Sequence, residues 1–428
     1  MQSVRDQNRI ARRWSLPPTS NQTLAPISVG RVKSWLAFPL LETANLASGT
    51  ANGMVMITLP WLVLETTDSA AKAGLLAALS AIPGVIVSPI VGGLIDRVGR
   101  RAVSIFSDVM SALSVLLFVV VDQVGHLTYP WIVAIAVLGA VFDPAGYTAR
   151  KALITNAAVA SDIGQDTANG RHEGIFAVGW MLGPALGAGL IAGSGAVTAL
   201  GVTAVMFVIA AFAVLAMRVD DEHGRVETAH DSFLDSLKEG VRVLYADRPL
   251  FALTMGFVGM AALYMPIDTV IWPAYFEGKN DPGSLGAVFV ALAGGSVLGA
   301  FAFGRLAQRF DSYRLLRLVI ITSTCALAPM SLLPPTWIVV LLGFVAGVSW
   351  GPFNPLWNSV IQRRIEPHLQ GRVYGLQMSV LYAAPPLGQV AVGYLVDELG
   401  IQPTFFVVIG LFLVFAVLLV SVPVLRKL

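Results

Sequence analysis

The chain has 428 residues, of which 56% are hydrophobic and only 13% are charged, and its mean hydropathy is +0.73. This composition is too apolar for a soluble fold of that length, so it indicates an integral membrane protein. The small net charge of +2 gives no indication of nucleic-acid binding. The single cysteine, Cys325, excludes an intramolecular disulfide and a multi-cysteine metal site.

The first 34 residues are polar and basic, with a middle rich in proline, serine and threonine. They contain no apolar core of the length found in a secretory signal. We therefore predict a disordered cytoplasmic basic tail over residues 1–34, close to membrane lipid.

Twelve apolar runs follow, each of about the length that crosses a bilayer as a helix. In the first half they lie at about 36–64, 73–95, 102–121, 128–149, 173–193 and 196–217. In the second half they lie at about 250–275, 284–307, 314–333, 337–361, 373–395 and 401–424. The prediction is an all-α integral membrane protein with twelve transmembrane helices in two six-helix bundles, 35–218 and 249–428.

The basic residues predict the orientation of these spans. With a cytoplasmic N-terminus, all lysines and arginines except Lys72 and Lys279 lie on the cytoplasmic side. We expect a multi-pass protein of the cell membrane with both termini in the cytoplasm.

The two halves repeat each other in sequence. The pattern GRxxG followed by PxLG begins at Gly170 and recurs 201 residues later, at Gly371. The triplet FDP at Phe142 recurs as FNP at Phe353, 211 residues later. Because each half has six spans, both start on the same side of the membrane. Such parallel repeats are typical of transporters whose halves rock about a central site.

A polar segment, 219–248, joins the halves. Phe233, Leu237, Val241 and Leu244 recur in it at helical spacing, which predicts an amphipathic helix. A linker lying against the inner leaflet is favoured over a regulatory or partner-binding role.

The connection between spans 2 and 3 is GGLIDRVGRR, in which an acid lies among arginines and glycines. Such an acid can cap a helix N-terminus or pair across the seam between the halves. The stretch resembles motif A of the major facilitator superfamily, matched at Gly92, Asp96, Arg97, Gly99, Arg100 and Arg101. The second copy has Gln308 in place of the acid, so we expect the first copy to matter more for gating. Asp108, one turn or more further on, is assigned to the same charge network.

Span 5 carries Gly179, Gly183 and Gly187 on one helical face, with Pro184 inserted. This run resembles motif C, which in the same superfamily marks exporters that exchange protons for drugs. Glycine faces also pack helices and prolines also kink them in importers. We expect the motif to govern packing and hinge behaviour, with no chemistry of its own.

Longer stretches narrow the resemblance: LPWLVL (59–64), FDPAGYTAR (142–150), ALYMPIDTVIWPAYF (262–276) and WGPFNPLWNSVIQRR (350–364). Together they resemble the Tap type of multidrug efflux pump among the drug:proton antiporters. The resemblance implies the major facilitator fold and proton-driven efflux of unrelated antibiotics across the bacterial cytoplasmic membrane. It also implies a monomer with small-molecule drugs and protons as partners and no cofactor. One departure is the arginine that motif B places inside span 4, since no basic residue precedes Arg150 there.

Four carboxylates lie within the predicted spans: Glu42, Asp108, Asp143 and Asp268. A charge at the centre of a lipid-facing helix costs about 2.5 to 3.5 kcal/mol, so these side chains are expected to face the bundle interior or water. In the repeat, the residue equivalent to Asp143 is Asn354, which does not titrate. Asp143 and Glu42 are therefore candidates for proton coupling. Alternatively, Asp143 fixes the break at Pro144 and pairs with Arg150 or Arg171, and Glu42 faces the basic tail.

Asp268 is the strongest candidate for proton coupling or for recognition of substrate charge. Span 7 contains no lysine or arginine, Pro266 frees backbone carbonyls, and Tyr264 and Thr269 offer hydroxyls. A carboxyl group that is shielded in one state and hydrated in another binds and releases a proton. The alternative is a hydrogen bond in the extracellular gate.

Aromatic and amide side chains of the C-terminal half suit an amphipathic, cationic drug through stacking and hydrogen bonds. Packing and interface anchoring are the alternative roles for such aromatics. The candidates are Tyr264, Trp272, Phe353, Asn354, Trp357, Asn358, Gln377 and Tyr382.

The sequence contains no metal-ligand cluster and no nucleotide-binding glycine loop, so we predict neither an enzyme nor a primary pump. Export or flipping of a lysophospholipid or siderophore is the alternative within the same fold. A proton-coupled importer and a membrane sensor without transport activity are more distant alternatives.

Overall fold

The computed structural model describes residues 34–125, 127–219, 241–366, 369, 373 and 383–428. For residues 85, 88–94, 96 and 166 it describes the backbone only. Regular structure in the described residues is helical, with no strand among them. The predicted N-terminal tail and most of the predicted linker lie outside these residues.

Six helices, α1 to α6, form the N-terminal half. They are joined by short connections, and among the described residues three of these contain a glycine with positive φ: Gly99 at +98°, Gly125 at +77° and Gly195 at +83°. Residues with a Cβ rarely adopt this conformation, so glycine allows each pair of helices to meet in a tight turn. The helices span Ala37–Thr67, Ala70–Val98, Arg100–Gln123, Tyr129–Ala160, Gln165–Ser194 and Ala196–Ala216.

Six helices, α7 to α12, form the C-terminal half. Asp247, Asp281 and Asp311 precede the first three, and each accepts a hydrogen bond from a backbone N–H of the first turn. These caps satisfy donors that have no partner within the helix. The helices span Arg248–Glu277, Pro282–Arg309, Ser312–Leu332, Thr336–Arg364, Pro385–Leu399 and Ile401–Ser421.

The predicted spans compare closely with these helices. Among the described residues, ten helices are long and apolar enough to cross a membrane. The other two, α2 and α11, correspond to predicted spans 2 and 11. Helix α2 has 29 residues with a shorter apolar part, Ala70–Gly84. Most of predicted span 11 before residue 383 lies outside the described residues. The count of twelve spans thus stays a prediction.

The internal repeat is visible in the helix packing. In the N-terminal half, α5 lies against α1, and a methyl group built on Gly183 would lie 2.6 Å from the Cα of Gly53. In the C-terminal half, α11 lies against α7 at the equivalent place, with a methyl group on Gly388 3.0 Å from the Cγ of Pro266. Glycine thus brings the same two helices of each half into backbone contact.

The two halves contact each other at the end of the molecule where α2 begins. There α2 packs against α11, α5 against α8, and the end of α7 against α1. A methyl group on Gly286 would lie 2.8 Å from the Cβ of Ala188, which brings α8 and α5 into close contact. These contacts hold the two bundles together at one end.

Candidate functional site

A buried arginine organises the polar centre of the N-terminal half. Arg150 is only 2% exposed, and its Nη1 donates to both carboxylate oxygens of Asp108, at 2.8 and 2.7 Å. Its Nη2 donates to the hydroxyl of Ser48 on α1, at 2.7 Å. The prediction that span 4 carries no arginine is wrong, because α4 continues through Arg150 to Ala160. Lys151, the next residue, lowers the hydropathy there and made the span look shorter.

The described members of the predicted charge network of motif A have separate partners. Asp108 forms an ion pair with Arg150, and its assignment to the network of motif A stays a prediction. Arg100 donates to the side chain of Asn156 on α4, at 2.7 Å. Arg101 donates to carbonyl oxygens at the end of α6, where a helix dipole favours a cation. These hydrogen bonds of the two arginines lie within the N-terminal half and do not cross the seam.

Two other members of motif A have described positions. Gly99 supplies the positive-φ turn between α2 and α3, and Arg97 is exposed. The side-chain surroundings of Gly92 and Asp96 lie outside the described part of the chain. The gating role assigned to Asp96 therefore stays a prediction.

Asp143 has an amide partner. It accepts a hydrogen bond of 2.6 Å from the side chain of Asn52, which also donates to the carbonyl of Ser48. Its direct partner is therefore neither Arg150 nor Arg171, the two residues considered from the sequence. Because Ser48 and Asn52 are one turn apart on α1, they connect Asp143 to the pair of Arg150 and Asp108.

Glu42 has a partner that sequence reasoning missed. The Nδ1 atom of His172 on α5 lies 2.9 Å from a carboxylate oxygen of Glu42, and both residues are buried. Asn45 donates to Glu42 at 3.3 Å and to the backbone carbonyl of His172 at 2.8 Å. Glu173, the residue after His172, forms an ion pair with Lys151. Glu42 therefore contacts α5, and the predicted N-terminal tail lies outside the described residues.

Asp268 lies in an irregular turn of α7. Directly after Pro266 the helix widens to a π-helical turn, Ile267–Ile271, and the Asp268 side chain is only 7% exposed. Tyr264, one turn earlier on α7, interacts with its carboxylate. No cationic partner of Asp268 occurs among the residues that the structure describes. Such turns arise where a proline removes a backbone donor, and they are frequent at functional sites.

Neighbouring helices hold this turn in place. The Thr269 hydroxyl donates to the carbonyl of Met265 at 2.9 Å and accepts from the side chain of Gln389 on α11 at 3.1 Å. Sequence reasoning missed Gln389, whose only signal was an amide in a glycine-rich and proline-rich span. The turn that carries Asp268 is therefore fastened to α11.

Three of the predicted cavity residues belong to one aromatic cluster. Phe353 stacks on Trp350 with ring centroids 4.8 Å apart and on Phe257 at 4.6 Å. Trp357 meets Phe257 edge-on at 4.3 Å, and Tyr264 lies parallel to Trp350 at 6.2 Å. The indole nitrogen of Trp357 is buried without a hydrogen-bond partner in the described part of the chain. Phe257 and Trp350 were not predicted.

Three other predicted cavity residues have described positions, and these are not in this cluster. Trp272 is 2% exposed and packs edge-on against Phe405 at 5.1 Å, nearer the end of α7. Asn354 and Asn358 are exposed on a different face of α10. Gln377 and Tyr382 lie outside the described residues.

The glycine face of motif C lies against α1. A methyl group on Gly179 would lie 2.8 Å from the carbonyl oxygen of Leu46, and one on Gly187 would lie 3.3 Å from the Cα of Met54. Pro184 contacts the same surface, next to Gly53. These glycines therefore bring α5 into contact with the backbone of α1.

Comparison with known proteins identifies the family. The sequence profile of the Major Facilitator Superfamily matches residues 42–388. The chain belongs to this superfamily. Membership makes it a multi-pass membrane transporter and not an enzyme, as the sequence predicted.

Curated relatives cover nearly the whole chain. It is 33% identical to the multidrug efflux pump Tap of Mycolicibacterium fortuitum, over 91% of this chain and 96% of that protein. It is 32% identical to Tap of Mycobacterium tuberculosis, over 91% and 94% of the two chains. Macrolide efflux protein A of Streptococcus pyogenes is 23% identical, over 93% and 99%. These matches confirm the resemblance to drug efflux transporters of the superfamily.

Solved structures confirm the fold. The nucleoside transporter NupG superposes with a TM-score of 0.73 over 90% of this chain and 98% of its own, at 13% identity. A bacterial homologue of the lysosomal transporter Spinster superposes with a TM-score of 0.69 over 92% and 96%, also at 13% identity.

Proposed function

We propose that the protein exports amphipathic drugs from the cytoplasm by alternating access, in exchange for protons. The extent of the similarity to the Tap pumps supports a drug cargo, since it spans 91% of the chain. The names of these relatives favour drugs over a lysophospholipid or a siderophore. The transporter acts as a monomer in the cell membrane, because each half already supplies one of the two rocking bundles.

In this proposal both termini face the cytoplasm. The near absence of lysine and arginine from the opposite side supports this orientation. The end at which α2 begins is then the outer end, and the halves contact each other there. The arrangement is consistent with a state that is closed to the outside and accepts drug from the cytoplasm.

One observation carries the coupling proposal: Asp268 is buried without a cationic partner in the described residues. Asp108 and Glu42 each have a basic partner, in Arg150 and His172, and Asp143 has the amide of Asn52. A paired carboxylate gains little from binding a proton, whereas an isolated one is neutralised at low cost. Asp268 is therefore the proton carrier, ahead of Asp143 and Glu42.

The coupling step follows from the place of Asp268 near the outer end of α7. When the outer end opens, water reaches the carboxylate and it takes up a proton. After the halves rock, the proton leaves to the cytoplasm as a drug enters. A tyrosine hydroxyl can donate to a carboxylate and accept from a protonated carboxyl group, so Tyr264 suits both forms of Asp268.

Drug recognition is assigned to the aromatic cluster of Phe257, Tyr264, Trp350, Phe353 and Trp357. Planar apolar drugs stack on such rings, and cationic ones gain from the negative faces of the rings. The indole N–H of Trp357, for which the described residues supply no hydrogen-bond partner, offers a drug one hydrogen bond.

The test is drug accumulation in cells that lack their own efflux pumps. Cells expressing the protein are expected to accumulate less tetracycline or aminoglycoside than cells with empty vector, and a protonophore is expected to abolish the difference. Equal accumulation with and without the protein, across a panel of cationic and neutral drugs, would contradict export. A difference that survives the protonophore would contradict proton coupling.

A further inference from the structure

A carboxylate of one half caps a helix of the other. Asp397, near the end of α11, accepts a hydrogen bond of 2.7 Å from the backbone N–H of Ala70 and one of 3.1 Å from Ala71. It also accepts one of 2.6 Å from the Ser69 hydroxyl. These donors begin α2, so the cap joins the C-terminal half to the N-terminal half.

The cap answers a need that α2 does not meet by itself. The first N–H groups of a helix have no partner within it, and the helix dipole favours an anion at this end. The N-cap residue Ser69 satisfies only the N–H of Lys72, at 3.2 Å. Asp397 supplies acceptors for the two preceding N–H groups.

Glycines bring the two helices close enough for this contact. A methyl group on Gly393, one turn before Asp397, would lie 3.0 Å from the Cα of Ala71. A methyl group on Gly74 would lie 2.9 Å from the carbonyl carbon of Gln389. The backbones of α2 and α11 therefore touch over two turns, and Asp397 lies at the outer limit of this contact.

The same stretch of α11 reaches the turn that carries Asp268. The Gln389 side chain donates to the Thr269 hydroxyl at 3.1 Å, and its backbone faces Gly74 of α2. A displacement of α11 away from α2 therefore acts on the hydrogen bond beside Asp268. The cap and the π-helical turn are two contacts of one helix.

We propose that Asp397 is the latch of the outer gate. It holds α11 against α2 while the transporter is closed to the outside, and it leaves the N-terminus of α2 when the gate opens to release drug. Asp397 is a positioning residue, since it contacts neither the aromatic cluster nor Asp268. The inference rests on the orientation proposed above and not on the identity of the cargo.

Gate opening is measured with a reporter cysteine in the full-length protein. In a Cys325→Ser background, the Ala78→Cys variant places a thiol one turn beyond Gly74, at a buried position of α2. A membrane-impermeant maleimide is applied to intact cells, and its rate of reaction with the reporter reports outer exposure. Without the cap, the ratio of open to closed gate is expected to rise roughly 2- to 30-fold, the range for loss of a helix N-cap.

Two variants test the latch and one controls for it. Asp397→Ala is expected to raise the labelling rate by that factor, and Asp397→Asn, which keeps one acceptor oxygen, by less. Glu398→Gln removes the neighbouring exposed acid, for which no hydrogen bond is described, and is expected to leave the rate unchanged. Membrane abundance and elution volume in detergent confirm that each variant is folded.

An unchanged labelling rate in folded Asp397→Ala or Asp397→Asn would overturn the latch. Faster labelling only in inside-out vesicles would place the contact on the cytoplasmic side, which overturns the outer latch together with the orientation. Because the assay contains no drug, failure of drug export in cells leaves its result unaffected.

Discussion

The two halves share a helix arrangement but differ in how they treat buried polar groups. In the N-terminal half three acids within the predicted spans are partnered: Glu42 by His172, Asp108 by Arg150 and Asp143 by Asn52. In the C-terminal half the described residues give Asp268 no cationic partner, only the neighbouring Tyr264, and aromatic rings fill much of the space around α7 and α10. The equivalent triplets FDP and FNP carry the same contrast in a single residue.

This difference suggests that paired groups stabilise the structure and that the unpaired acid takes part in conformational change. Paired buried groups lock the helices that carry them, because either partner alone leaves an uncompensated charge. An unpaired acid exchanges its proton without disturbing a partner. We therefore assign scaffolding mainly to the polar groups of the N-terminal half and coupling and recognition mainly to the C-terminal half.

The largest expected effect is on the Arg150 pair. Arg150→Met leaves the Asp108 carboxylate buried and unpaired, which is expected to destabilise the fold by about 3 to 5 kcal/mol. The double variant Arg150→Met with Asp108→Asn is expected to recover much of this loss. Asp268→Asn is expected to leave stability nearly unchanged, because no ionic partner of Asp268 occurs among the described residues.

Thermal unfolding in detergent and membrane abundance measure these differences. Equal losses for Arg150→Met and Asp268→Asn would remove the contrast between the halves.

A second prediction concerns helix packing, where the halves agree. Gly183→Leu forces a side chain into the backbone of α1, and overpacking of this kind costs about 1 to 3 kcal/mol or more. Turnover is expected to fall more than drug affinity, because α5 and α1 can no longer adopt their contact. Gly189→Leu on the same helix is the control, since a methyl group there meets no atom within 4 Å. Normal transport by Gly183→Leu would contradict the packing role.

The sequence was sufficient for the features that depend on local pattern. Hydropathy predicted spans that agree with ten helices, and the spacing of Gly179, Gly183 and Gly187 predicted a contact face. The patterns that recur in both halves, GRxxG with PxLG and FDP with FNP, likewise predicted that the halves have equivalent helices.

The sequence was insufficient for contacts between distant helices. Nothing local indicates that Glu42 meets His172, which lies 130 positions further along the chain. Hydropathy placed Arg150 outside predicted span 4, because the adjacent charges of Arg150 and Lys151 lower the average there. In the structure α4 buries Arg150, because Asp108 on α3 pairs with it. The π-helical turn follows from Pro266, but the hydrogen bond that Gln389 of α11 donates to Thr269 in this turn depends on tertiary packing.

A third prediction concerns drug range. Trp357→Leu is expected to lower the concentration of planar cationic drugs that inhibits growth of the expressing cells by roughly 2- to 30-fold. This is the range that corresponds to stacking and cation–π contacts of about 0.5 to 2 kcal/mol. Trp357→Phe is expected to retain part of the resistance. Trp337→Leu on the same helix, at an exposed position outside the cluster, is the control. Equal sensitivity of Trp357→Leu and Trp337→Leu would contradict recognition by the cluster.

The smallest expected difference is between the two copies of motif A. Asp96→Asn is expected to slow transport more than Gln308→Ala, because only the first copy retains an acid. Transport rates at matched membrane abundance measure this. Equal rates for the two variants would remove the proposed asymmetry.

Transport by purified protein in liposomes with an imposed pH gradient tests the central claim, that Asp268 carries the coupled proton. One cationic and one neutral drug are used. Wild-type protein is expected to move both against their gradients, and Asp268→Glu to retain part of this activity. Asp268→Asn is expected to lose uphill transport of both drugs while retaining downhill exchange, because an amide imitates the protonated acid but releases no proton. Uphill transport of both drugs by Asp268→Asn at the wild-type rate would contradict the account.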